Sequence, residues 1–447
     1  MNKRSLFFGG TIYQDPWRRI DEGALVVQEG RIVWVGAHSE LPDEWGEVEE
    51  RKSFEGLVMM PGFNDNHLHS AVYGDNVTYP SLTGLKEQEI VALLKERFAQ
   101  LEKDELVMAF GWDYPECPEP HRDLLDREFP NNPVALIQFS GHGAWVNGRM
   151  LEQLDIDKET PDPEGGIIVR DSRGEPTGIL RDTALNPIHR KHFVELHRDK
   201  ERLRSAVLRA LDHYKQFGIT SVQDNTWLPQ TVGVLRRLRR EGNLSCRFSC
   251  WPYGVLPWLA RISDIRRYEP LWFRRGPWKY FLDGTFTTRT AWLLEAYPGE
   301  PGNFGRPVLR GEELDRVLLR AAKKKRQAAL HAIGDGAVHE FLDRLERMAR
   351  KYPILKELRL RLEHAQLVDP LDMDRLRELG VLIAAQPHAM GNPTKDEEIL
   401  GSDRAVRAYP HRSLLDAGVH LSFGSDLPGE PTVNPLQAIH YGVNRKS

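Results

Sequence analysis

Cysteine is scarce: three residues, Cys117, Cys246 and Cys250, in a chain of 447. An odd, low count makes no disulfide framework and fits a reducing compartment, so a cytoplasmic location is expected. Cys246 and Cys250 fall on one face of an apparent strand, about 13 Å apart at roughly 3.3 Å per residue, and read as buried thiols rather than a metal pair. Long apolar runs are also missing; none approaches the roughly 18 residues a membrane helix needs. The basic start Met1-Asn2-Lys3-Arg4 is followed by an apolar stretch that Gly9-Gly10 interrupts, too short for a secretory leader. Charge of one sign is lacking as well: 61 Lys and Arg stand against 65 Asp and Glu, a net charge of −4. The basic runs Lys323-Lys324-Lys325-Arg326 and Arg236-Arg237…Arg239-Arg240 lie on helical periods and read as solvated faces. Nucleic acid and membrane are therefore not expected as partners. A small-molecule substrate is, with at most a second copy of the chain in a homodimer. No fixed-period repeat or low-complexity tract occurs.

What is present is a large apolar complement, 40% of residues, beside 28% charged residues and a mean hydropathy of −0.50. Residues 1–56 read as short strands, with Ala24–Gln28 and Arg31–Val35 flanking the hairpin signal Glu29-Gly30. From residue 57 apolar strands alternate with helical periods, the pattern of a parallel sheet. The run Leu57–Met60 opens this part and leads into a strand before His67. Further strands are expected at Thr220–Gln223, Arg247–Trp251, Lys279–Leu282, Ala328–His331, Leu360–His364, Leu382–Gln386 and Leu421–Gly424. Eight such units close into a (β/α)8 barrel, which puts function at the C-terminal ends of the strands. Between about 70 and 219 the alternation is interrupted by an insertion. It carries a helix over Leu85–Leu101, strands at Leu106–Phe110 and Val134–Phe139, and a hairpin turned by Asp171–Gly174. A helix over Asp199–Phe217 closes it. The expected organisation is a β domain over 1–56 and a barrel over 57–447 with that insertion.

The stretch Pro61-Gly62-Phe63-Asn64-Asp65-Asn66-His67-Leu68-His69 organises the parallel part. On an extended strand residues i and i+2 share a face, so His67 and His69 would present two imidazoles to one point. A divalent cation needs that arrangement, although the spacing also occurs on ordinary strands. Three later strands close on titratable residues: His331 in Ala328–Asp335, His364 in Arg361–Gln366 and Asp426 in Leu421–Asp426. Four histidines and an aspartate at the ends of four strands point to a metal centre in the barrel mouth. Lys279 is costly to bury on a strand unless paired or modified. CO2 would convert it into a carbamate able to bridge two cations; the other reading is a lysine snorkelling from the strand start. For Asp426 the other reading is a helix N-cap, since Ser425-Asp426 precedes Pro428.

With these segments go Gly111-Trp112-Asp113, Gly141-His142-Gly143-Ala144-Trp145-Val146-Asn147, Thr160–Gly166, Lys279–Gly284, Gln386-Pro387-His388 and Phe423–Asp426. Taken in order they cover nearly the whole chain, and the chain resembles the amidohydrolase superfamily of metal-dependent hydrolases. The branch it resembles, amidohydrolase family 3, includes N-substituted formamide deformylase. The resemblance implies an α/β fold: a distorted (β/α)8 TIM barrel with a small β-sandwich built from both termini. It implies that His67 and His69 bind one metal with Asp426, that His331 and His364 bind a second, and that carboxylated Lys279 bridges the two. One or two Zn2+ ions are the expected cofactor. The expected reaction is cleavage of a C–N bond (amide, formamide or cyclic amide) by a metal-activated hydroxide, with Asp426 as general base and then acid. The alternatives are an ester, lactone or phosphoester hydrolase on the same site, or a non-catalytic metal-binding relative. Trp112, His142, Trp145 and Asn147 are candidates to line the substrate pocket, or else packing residues of the insertion. Arg289 and His388 are weaker pocket candidates. Two departures stand out: Asn64 replaces an expected apolar residue, and the chain stops soon after the helix start Pro435–His440, so either the chain is shortened or the sandwich is incomplete.

Overall fold

In the computed structural model, residues 4–114, 116–227, 229–254, 269–390, 393–429 and 432–445 are described. The chain divides into two compact units, Met1–Phe63 and Asn64–Ser447.

The first unit is a sheet of β1 (Arg4–Asp15), β2 (Arg18–Gln28), β3 (Arg31–Ala37), β4 (Glu50–Ser53) and β5 (Val58–Met59) in the order β3-β2-β1-β4, with β5 beside β1. Glu29 and Gly30 both take positive φ, 52° and 74°, the backbone that a two-residue hairpin needs to follow strand twist. Period two splits β2 between the faces: Val26 packs with Leu6 and Ala24, while Leu25 packs with Ile12 and Phe54. Leu57–Met60 thus belongs to this sheet: Val58 and Met59 pair with Thr11 and Ile12 of β1, and Leu57, Val58 and Met60 are exposed.

In the second unit the strand that carries the histidines is β6, Phe63–Leu68, whose buried residues are mostly polar: Asp65, Asn66 and His67. An insertion sheet follows, in the order β10-β11-β9-β8-β7: β7 (Val107–Trp112), β8 (Val134–Gln138), β9 (Gly143–Val146), β10 (Gly166–Arg170) and β11 (Pro176–Asp182). The expected hairpin is β10–β11, closed by Gly174 N–H to Asp171 O. The closing helix, Lys200–Gln216, is capped by the Asp199 carboxylate, which accepts from Glu201 N and Arg202 N.

The remaining strands form two arcs. One is β14-β13-β12-β6, with β12 (Ile219–Trp227), β13 (Arg247–Pro252) and β14 (Phe273–Arg275). The other is β15-β16-β17-β18-β19, with β15 (Trp278–Phe281), β16 (Ala328–Ala332), β17 (Arg361–His364), β18 (Leu382–Ala385) and β19 (His420–Phe423). Every neighbouring pair of the second arc is parallel. Eight units closing into one ring were expected; among the described residues the ladders form two arcs and do not close into one continuous ring. The arcs meet at two narrower seams. At one, Tyr253 bridges Lys279. At the other, Asp426 N–H donates to His67 O (2.7 Å) and His69 N–H to Leu427 O (2.9 Å). Gly424 makes the second seam: a Cβ there would lie 2.4 Å from Asn66 Oδ1 and 2.6 Å from His67 N.

Alternation sorts the second arc. Trp278, Tyr280, Leu330 and Leu362 face outward into a core with Leu314, Leu318, Phe341 and Leu345 of helices Gly311–Lys324 and Asp335–Lys351. Lys279, His331, Arg361 and Glu363 take the opposite face. Strict alternation would send His364 outward after Glu363. Positive φ at His364 (77°) and Ala365 (44°) breaks the period and turns the imidazole inward. No described helix is long and apolar enough to cross a membrane.

Candidate metal centre

β6 delivers His67, and the backbone just past its end delivers His69. Asp426, at φ 55° beyond β19, comes to both: its Oδ1 is 3.2 Å from His69 Nε2 and 3.4 Å from His67 Nε2. These three donor atoms lie within 4.8 Å of one another. Among the described residues Asp426 caps no helix; the helix Pro435–Asn444 is capped by Asn434.

The protonation of His67 follows from its neighbours. Its Nδ1 is 2.6 Å from Oε2 of Glu363, a fully buried carboxylate that only accepts, so the ring proton sits on Nδ1. Arg361, on the same face of β17, holds that carboxylate through Nε to Oε1 (2.8 Å) and Nη2 to Oε2 (2.9 Å). The lone pair is left on Nε2, beside Asn225 Nδ2 (3.0 Å) and Lys279 Nζ (3.3 Å). Carboxylate–imidazole pairs of this kind orient metal-binding histidines. Two imidazoles and a carboxylate converging, one with its tautomer already set, are donor chemistry that fits a divalent cation.

His331 and His364 stand next to this group. Their rings are 4.4 Å apart, and His364 is 5.3 Å from His67. His331 Nε2 is 3.0 Å from the carbonyl of Gly284, which puts its proton there and its lone pair on Nδ1. His364 Nδ1 is 2.7 Å from Gln386 Oε1, leaving Nε2 as the lone-pair nitrogen. Burial, reinforced by the positive charge of Lys279, holds His67 well below the usual imidazole range. Burial does the same for His331 and His364, each with a neighbouring imidazole as the next cause. Neutral imidazoles are the form that ligates. Burial lowers the Lys279 ammonium to about 8, although Glu363 and Asp426 pull the other way. Burial opposes the charged form of Asp426, yet His67, His69 and Lys279 hold its carboxyl well below the usual carboxylate range.

The remaining sequence candidates divide. His142 reaches the group from the insertion, its ring 5.4 Å from that of His331. Trp112, Trp145 and Asn147 do not line the site, and the pocket reading is corrected for all three. Trp112 is buried in the insertion core, donates Nε1–H to Leu136 O and meets Trp145 edge-on at 6.1 Å. Asn147 spends all its hydrogen-bonding capacity on backbone, accepting from Val134 N and Met150 N and donating to Phe129 O and Asn132 O. Arg289 turns to Glu300 Oε1 (2.9 Å) and Pro298 O. The ring of His388 meets Tyr441 edge-on at 5.7 Å, and burial lowers its imidazole to about 4. All three cysteines are buried free thiols. Glu363, Asn225 and Gln386 escaped the sequence reading. For Glu363 a signal existed: Arg361-Leu362-Glu363 is a period-two charged pair around a leucine, directly before a candidate histidine.

The sequence profile of the amidohydrolase family matches residues 54–447. The chain belongs to the amidohydrolase family. It is 32% identical to the YtcJ protein of Bacillus subtilis over 99% of this chain and 84% of that one. It is 27% identical to N-substituted formamide deformylase of Arthrobacter pascens over 95% of this chain and 80% of the relative. A solved structure of an uncharacterized metal-dependent hydrolase from Pyrococcus horikoshii superposes with a TM-score of 0.76 at 28% identity, covering 99% of this chain and 86% of the other. Family and neighbours together imply an α/β hydrolase of the TIM-barrel type that depends on a divalent metal.

Proposed function

We propose that this amidohydrolase cleaves a C–N bond of an amide, formamide or cyclic amide, with Asp426 as general base and then general acid. The carrying observation is the place of Asp426, whose Oδ1 lies against Nε2 of both His67 and His69. His67, His69 and Asp426 would hold one divalent cation, most simply Zn2+, and His331 and His364 a second. A cation held there would supply a lower pKa for its water, from about 15.7 to about 7–9, and polarisation of a carbonyl oxygen. Asp426 accepts the proton released by the attacking water and passes it to the departing nitrogen, which leaves as an amine. Its depressed pKa keeps it ionised and able to accept. Lys279 would be the bridging ligand after carboxylation: its neutral amine forms an N–C bond to CO2 and loses one proton. A lysine lowered to about 8 supplies that neutral form near neutral pH. The insertion over about 70–219 would roof the site, and its support is the approach of His142 to His331.

The test is a panel of N-alkyl formamides, acyclic amides, hydantoins, carboxylic esters, lactones and phosphoesters, assayed on the Zn2+-loaded protein with metal content measured in parallel. Turnover of amides or formamides is expected. Turnover confined to esters, lactones or phosphoesters, or full metal loading with no hydrolysis of any member, would overturn the C–N reading.

A further inference from the structure

We propose that Asp182 and His142 form a built substrate handle, in which Asp182 positions the His142 ring so that its Nε2 accepts a hydrogen bond from an N–H of the substrate. The inference rests on the C–N reading above and narrows it to substrates with a hydrogen on the scissile nitrogen. His142 Nδ1 is 2.8 Å from Asp182 Oδ1, and the Asp182 N–H donates back to His142 O at 2.8 Å. Two bonds between one pair of residues fix both the ring and the backbone that carries it. A carboxylate only accepts, so Nδ1 bears a proton, and in the neutral ring Nε2 keeps the lone pair. The ring stands 5.4 Å from His331 and is partly open, at 23% exposure, while the Asp182 side chain is 4% exposed.

Asp182 is itself held at a cost. It takes φ 49°, which a non-glycine residue adopts only when its surroundings impose it. Those surroundings come from the loop after β15. Thr288 Oγ1 donates to Asp182 Oδ2 at 3.3 Å. Gly284 leaves room for the carboxylate, because a Cβ there would lie 2.7 Å from Asp182 Oδ1 and 2.1 Å from Thr290 Oγ1. The strained carboxylate of the insertion is thus seated in a socket of the second arc, and what the socket orients is a single imidazole acceptor beside the metal-binding group. A site built to pair with a substrate N–H rejects an analogue that lacks it.

Two measurements decide the matter. The first is kcat/KM for N-butylformamide against N-butyl-N-methylformamide, read by formate release from wild type, His142→Phe and Asp182→Gly, all with measured metal content. Wild type should favour the secondary formamide by at least about tenfold, and both variants should bring the ratio within about threefold while retaining metal. A ratio unchanged in the variants overturns the proposal. Glycine accepts the Asp182 backbone without strain, so Asp182→Gly should stay folded with its metal content unchanged, and Tm measured beside kcat/KM separates positioning from folding. The second measurement is the tautomer of His142 by nitrogen-15 NMR of histidine-labelled protein. Nδ1–H is expected in wild type and a mixture in Asp182→Gly; Nε2–H in wild type, or no change in the variant, overturns the proposal. If wild type cleaves neither formamide, the C–N reading has failed for this class and the substrate handle falls with it, while the tautomer still decides whether Asp182 positions the ring.

Discussion

The insertion sheet and the second parallel arc both bury polar side chains, but they satisfy them in opposite ways. Asn147 in the insertion is fully buried and gives its amide oxygen and nitrogen to four backbone groups. Nothing is left over, and its contribution is to stability. On the inner face of the arc, Glu363 and Lys279 answer His67 of the first arc and Asp426 from beyond β19, side chains rather than the backbone. That leaves lone pairs on imidazole nitrogens where a cation would sit. A buried polar residue therefore identifies a site only when its partners are side chains that keep unspent capacity.

Substitutions should separate the two classes. The largest effect is expected for Asp426→Asn: metal content by elemental analysis stays within about a factor of two, while kcat falls on the order of 10³-fold. Full activity would remove its assigned role. Glu363→Ala comes next, because it strips the acceptor from His67 Nδ1 and leaves the buried Arg361 guanidinium without its carboxylate. A stability loss of about 3 kcal/mol in urea unfolding is expected, with metal affinity weakened roughly 10- to 100-fold in a chelator titration. Unchanged affinity would place Glu363 with the structural class.

Asp75 in the insertion is the structural counterpart, a buried carboxylate answered by charge. Burial alone would raise its pKa, but His192 and the paired Nε and Nη2 of Arg202 lower it to about 2. A depressed carboxyl stabilises the fold above its unfolded value near 3.8 and loses that contribution as pH falls toward 2. About 2 kcal/mol should therefore disappear between pH 5 and pH 2, and Asp75→Asn should abolish that part of the slope in denaturant titrations. The smallest effect is expected for Asn147→Ala. It should cost about 1–2 kcal/mol of stability, since Val134 N and Met150 N lose their acceptor, with kcat/KM of the folded enzyme unchanged. A selective loss of kcat/KM would return Asn147 to the pocket.

Much of the fold was legible because period two and helical period are local properties. The strands of the second arc fall within a residue or two of their expected places, as do the hairpin at Asp171–Gly174 and the helix after Asp199. The apolar run before the first parallel strand belongs to the N-terminal sheet instead of opening the parallel part, for a physical reason. Leu57, Val58 and Met60 are apolar yet exposed, whereas Asp65, Asn66 and His67 are polar yet buried, because their partners are Ser425 N–H, Arg361 and Glu363 from the far end of the chain. Trp112, Trp145 and Asn147 looked like pocket residues because aromatic and amide groups beside a histidine carry no sign of which way they face.

By itself the sequence determined the kinds of ligand available, the order in which strands present them, and the alternation that sets Lys279, His331 and Glu363 opposite Tyr280, Leu330 and Leu362. Tertiary structure alone decided that His364 and Asp426 turn inward, through left-handed backbone that local propensity disfavours, and which ring nitrogen of each histidine keeps its lone pair. The reason is distance along the chain. A tautomer is set by one hydrogen-bond partner, and here the partner of His67 lies on another strand, brought to it only when the arcs pack.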